Sequence, residues 1–127
     1  MRRMITTLAI ATLVAGIPVY AHHSFAADYF EEQSITIEGD VEEFQFRNPH
    51  SLLMFNVKDQ GGRVQMYTAE WGNVGRLTTQ GVSKDSLKYG DHVVITGSPG
   101  RVATAFRVHL KGIERPSDGW QWGGGRR

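Results

Sequence analysis

The chain has no cysteine. That absence excludes disulfides, a thiolate metal site and a lipoprotein anchor together. It also has almost no charge of one sign to spare, with 14 Lys+Arg against 13 Asp+Glu over 127 residues. A nucleic-acid-binding chain normally shows a basic footprint, so nucleic acid is not an expected partner. Enzyme motifs are missing as well: there is no nucleophile elbow, phosphate-cradling glycine loop, H-E-x-x-H helix or c-type haem attachment sequence. The acidic run Glu38, Asp40, Glu42 and Glu43 reads as a solvated strand face rather than as a carboxylate pair. These gaps favour a binding protein over an enzyme and leave the enzyme question open.

Long apolar stretches are confined to the N-terminus. Arg2 and Arg3 precede a mostly apolar run from Ile5 to Val19, and Pro18 stands just before Val19-Tyr20-Ala21. Positive start, apolar middle and small residue at the end form the pattern of a secretory signal peptide. A retained anchor is the alternative, but the run falls short of the ~20 apolar residues a spanning helix needs. Residues 1–21 are therefore expected to be removed, placing the protein in the periplasm or outside the cell with no stable membrane anchor. Cleavage after Ala21 takes Arg2 and Arg3 away, so the 14 Lys+Arg become 12 against 13 Asp+Glu. What remains, residues 22–127, is enough for one small domain with a single core.

From Ser34 onward the pattern has period two, the mark of half-buried strands. Ile35, Ile37 and Val41 share one face, whereas Phe44 and Phe46 fall in the opposite phase. A strand cannot change faces without an extra residue, so a β-bulge or sharp bend is predicted between Gly39 and Glu43. Arg47-Asn48-Pro49-His50 reads as a turn. Ser51–Lys58 is predicted as the second strand, Asp59–Gly62 as a hairpin turn and Arg63–Trp71 as the third strand. In the third strand Tyr67, Ala69 and Trp71 oppose Val64, Met66 and Thr68. A short helix is predicted over Asn73–Gln80 with Asn73 as cap, then strands at His92–Gly97 and Ala103–Leu110. Arg107 and His109 alternate outward, and an irregular tail starts at Glu114. Five strands, the first one bent, with a helix between the third and fourth, match an all-β, OB-fold-like barrel. An SH3-like barrel or open sandwich is the competing plan. The chain then divides into a signal peptide (1–21), an N-terminal arm (22–33), an OB-like barrel (34–115) and a flexible Gly/Trp-rich tail (116–127).

Three segments carry a family resemblance: Ala21-His22-His23-Ser24-Phe25-Ala26-Ala27, the Arg47-Asn48-Pro49-His50 turn, and Gly90-Asp91 ahead of a Val-Val-Ile-Thr-Gly strand. In these the chain resembles the small secreted bacterial proteins of domain-of-unknown-function family 6152. The likeness runs from His22 to about Gly119 and implies an exported OB-like β domain. It implies no activity, and it does not account for Trp120-Gln121-Trp122.

The candidate chemistry starts at the mature N-terminus. Cleavage after Ala21 gives His22 a free α-amine, of pKa about 8, beside its own imidazole. Amine and ring Nδ1 can chelate one ion, and a further imidazole would complete a three-nitrogen site suited to Cu(II). His23, through the intervening amide, and His50, from its turn, are the other candidate metal ligands. Solvated histidines that bind nothing are the plainer alternative, and His92 and His109 read as surface strand residues. A second candidate site, for a small ligand or a protein partner, groups Glu70, Trp71, Phe44, Phe46 and Tyr67 at a barrel rim. Trp120 and Trp122 either bind a partner or seal the barrel. Copper handling in the periplasm, a metal-free interaction module and a copper-dependent redox enzyme are the three functions these residues allow.

Overall fold

Gly39 decides how the first strand runs. In β1 (Ile35–Gln45) a Cβ at Gly39 would lie 2.2 Å from the carbonyl oxygen of Asn56, so only glycine lets the neighbouring backbone come this close. The N-terminal half of β1 pairs antiparallel with β4 (His92–Pro99) and its C-terminal half with β2 (Leu52–Lys58). Register slips between Val41 and Glu43, which is the predicted bulge. It turns Phe44 back toward the interior, where its ring lies 5.9 Å from that of Trp71. The computed structural model describes residues 24–124. The predicted leader at 1–21, the candidate ligands His22 and His23, and residues 125–127 lie outside the described residues.

Strand β3 (Val64–Glu70) follows β2 through the Asp59–Gly62 hairpin. There the Asp59 carboxylate accepts from the amides of Gly61 and Arg63, and Gly62 takes φ of 77°. After β3 comes α2 (Val74–Thr79), capped by the Asn73 side chain, which accepts from the Arg76 amide at 2.8 Å. Strand β5 (Arg107–Arg115) pairs antiparallel with β4 and, through Thr68, Ala69 and Glu70, parallel with β3. That short parallel seam closes the order β3-β2-β1-β4-β5 into a five-stranded barrel with the helix between β3 and β4. This is the OB-fold plan. Leu53, Phe55, Ala69, Trp71, Leu77, Val93, Ile95 and Val108 fill it; each large apolar side chain buried this way contributes about 1.5–3 kcal/mol.

Three expectations need correction. Ala103–Ala105 form a 3₁₀ turn rather than the start of the fifth strand, and Phe106 follows in the left-handed region at φ 50°. The strand runs on to Arg115 instead of ending at Leu110. The tail is not irregular from Glu114: Trp120–Gly123 form β6, antiparallel to β5. Trp122 meets Trp71 edge-on at 4.9 Å, so burial of an indole face supplies the order that a glycine-rich composition concealed. A further short helix, α1 (Ser24–Asp28), lies in the N-terminal arm.

On the outer face of the β1–β4 pair, His92 sits between two carboxylates, with Nδ1 at 2.8 Å from Asp40 and Nε2 at 3.1 Å from Glu38. Both nitrogens donate only in the imidazolium. The hydrogen bonds to Asp40, then Glu38, raise its pKa above 6.5. Its stabilising effect is therefore complete below the unfolded value and fades as pH rises through the folded one. The ring is half exposed, so the effect is about 0.5 kcal/mol. Imidazole NMR titration is expected to give a His92 midpoint above 6.5 that falls in Asp40→Asn. An unchanged midpoint would refute the bridge.

Candidate functional site

Alternation along β5 sends Val108 and Leu110 into the core and Arg107, His109 and Lys111 outward. Because β3 joins β5 in parallel with Glu70 beside His109, the outward-facing Glu70 joins that row. Glu70 is the hub of the resulting network. One carboxylate oxygen takes the Nδ1 of His50 at 2.9 Å. The other accepts from the Tyr29 hydroxyl at 2.5 Å and from Arg107 at 2.8 Å. Burial, reinforced by the Glu70 carboxylate, raises the Tyr29 phenol far above its ordinary value.

His50 reaches Glu70 because its turn is tied down at several points. The backbone of Ser51 bonds to that of Gly72 and Trp71, its buried hydroxyl bonds to the backbone of Arg47, and Asn48 accepts from the Val74 amide at 2.9 Å. The Asn48–Pro49 peptide is cis. The hydrogen bonds of Ser51 and Asn48 make the NPH turn a rigid bracket, and a rigid bracket holds an imidazole in one orientation.

Over the row lies α1. Phe25 stacks on His109 with centroids 3.7 Å apart and planes 4° from parallel, and it tilts against His50 at 4.7 Å. The Nδ1 of His109 meets Glu31 at 2.7 Å, and Lys111 meets the other oxygen of Glu31 at 2.9 Å. Burial pushes the His109 imidazole below the ordinary histidine value against the pull of Glu31. Burial also opposes the Glu31 carboxylate, yet hydrogen bonds from Lys111 and His109 outweigh it and keep its carboxyl below the usual range. At 2.7 Å the His109 Nδ1 lies within hydrogen-bond distance of the acceptor-only Glu31 carboxylate. His50 and His109 share one arrangement, with Nδ1 held by a carboxylate and, among the described residues, no hydrogen bond at Nε2. A carboxylate on one ring nitrogen orients and enriches the other as a metal ligand.

The candidate residues divide. His50 stands in this array; among the described residues, no group of three or more His, Cys, Asp or Glu side chains is arranged to hold a metal ion. The five residues grouped at a rim do not converge. Phe44, Phe46 and Trp71 meet on the inner side, and Tyr67 packs on Phe55 and Phe106. Glu70 faces the opposite way, since neighbouring strand residues point to opposite faces. His109, expected at the surface, is mostly covered by Phe25. From the sequence, Phe25, Tyr29, Glu31 and Arg107 were given no part in a site. The spacing of Phe25 and Tyr29, four apart and so on one helical face, was the available signal.

Beside the array opens a cleft of about 290 Å³, lined among others by Phe25, Trp71, Arg76, His109, Lys111 and Trp122.

Barrel, seam and array define an OB-fold protein with a histidine–carboxylate face. The chain belongs to the Family of unknown function DUF6152, whose family model matches residues 10–108. No curated protein matches it. Among solved structures it is similar to the mitochondrial single-stranded DNA binding protein Rim1 of S. cerevisiae. The two are 13% identical, with 73% of this chain and 96% of that chain covered and a TM-score of 0.49.

Proposed function

We propose that this is an exported OB-fold binding protein that holds copper(II), or a related divalent ion, between its mature N-terminus and His50, for metal handling rather than catalysis. The observation that supports it is the packing of Phe25 against His50, whose Nδ1 is taken by Glu70. His22 precedes Phe25 by three residues, and three residues of chain span at most about 11 Å. That reach would allow the His22 amine and imidazole, or His23, to meet His50, whose Nε2 has no hydrogen bond among the described residues. Export rests on the N-terminal pattern, and an absence of nucleic acid among its partners on the balanced mature charge.

The test uses protein exported by its own leader, with the new N-terminus verified by mass, because a start at Met or a tag removes the His22 amine. Titration with Cu(II) under electron paramagnetic resonance is expected to show a tetragonal signal with nitrogen hyperfine structure. His22→Ala is expected to abolish that signal, and His50→Ala to weaken binding by about tenfold to a hundredfold. Binding no tighter than in denatured protein, or indifferent to both substitutions, would defeat the proposal.

A further inference from the structure

We propose that the cleft beside the array is a binding site for a small organic carboxylate with a flat apolar body, anchored by Arg76. This inference is independent of copper. Among the described residues no carboxylate lines the cleft, while two cations do. Lys111 is already engaged by Glu31 at 2.9 Å. The Arg76 guanidinium makes no hydrogen bond or ion pair among the described residues, although the Arg76 backbone is held in the capped turn of α2. A planar fork with free donors matches a carboxylate in two parallel hydrogen bonds.

The walls explain the rest of the ligand. Phe25, Trp71, Leu77 and Trp122 present aromatic and aliphatic surface, suited to a flat ring or unsaturated chain. Trp71 is 1% exposed, and its indole nitrogen is the one buried side-chain polar atom among the described residues without a hydrogen-bond partner. Buried donors are nearly always paired; this one belongs to a residue that also forms part of the cleft wall. A volume of about 290 Å³ lies at the small end of ligand sites, which points to a single-ring acid. One free cation and apolar walls fit a monocarboxylate better than a phosphate dianion.

Phenylacetate, phenylacetamide and inorganic phosphate serve as probes, added to mature protein stripped of metal by a chelator and read by tryptophan fluorescence. Phenylacetate is expected to give a saturable change, because Trp71 and Trp122 both line the site. The neutral amide, and phenylacetate on Arg76→Gln, are each expected to bind about tenfold more weakly. Arg76 is exposed and α2 keeps its cap, so Arg76→Gln folds; circular dichroism verifies it. No saturable change, equal affinity for the amide, indifference to Arg76→Gln, or displacement of phenylacetate by phosphate at equal concentration would each overturn the proposal.

Discussion

Glu70→Ala is expected to destabilise the protein by about 3 kcal/mol in urea denaturation, a large effect for one side chain. The substitution does more than delete bonds. Tyr29 is fully buried, and its hydroxyl gives its hydrogen bond to Glu70, so truncation leaves a buried donor unpaired at about 1–3 kcal/mol. Loss of the charge-assisted bond to Arg107 and of the bond to His50 adds to this. Glu70→Gln is expected to cost less, because its oxygen still accepts from Tyr29 or Arg107. A double-mutant cycle with Tyr29→Phe isolates the hydroxyl: Tyr29→Phe alone is destabilising, whereas in the Glu70→Ala background it is neutral or favourable. A cost below about 1 kcal/mol for Glu70→Ala would mean that Glu70 is not the hub. At the proposed copper site, affinity would fall in step, since His50 loses the carboxylate that orients it.

Gly97→Ala is expected to cost about 3 kcal/mol, at the upper end of overpacking effects. Gly97 lies where the β4–β5 register shifts, and a Cβ there would stand 2.1 Å from the carbonyl oxygen of His109 and 2.9 Å from its carbon. Those atoms are backbone held in the sheet, so no rotamer change relieves the clash and β5 itself has to move. The strand that moves carries His109, which links the defect to the Phe25 stacking. Gly75→Ala is the control. The nearest atom to its Cβ is 3.6 Å away and the residue is helical, so this change is expected to be neutral or to add up to about 1 kcal/mol. Equal thermal stability of the two variants would show that close approach at Gly97 is not limiting.

Much of the barrel was legible because its signals are local. The phase slip after Val41 announced the bulge, and alternation in β3 placed Tyr67, Ala69 and Trp71 on one face. Asn73 marked a helix start whose Leu77 is fully buried. The site was far less legible. His50 stood out through its NPH turn, but Glu70 was grouped with Trp71, its neighbour in sequence, when the pleat sends the two to opposite faces. β6 was hidden because glycine-rich composition records what a segment lacks alone, not the indole face waiting on Trp71.

By itself, the sequence determined which residues turn inward along β1 to β4 and where the first strand bends, since side-chain period, glycine and proline act within a few residues. Tertiary structure alone decided which outward-facing residues become neighbours. Arg107 meets Glu70 across 37 positions of chain and His109 meets Glu31 across 78, and both meetings follow from the β3–β5 seam and the helix laid across it. Barrel closure is a long-range event set by the whole sheet. No local pattern around His50 or His109 records that a carboxylate from another strand or from the N-terminal arm will hold the Nδ1 of each.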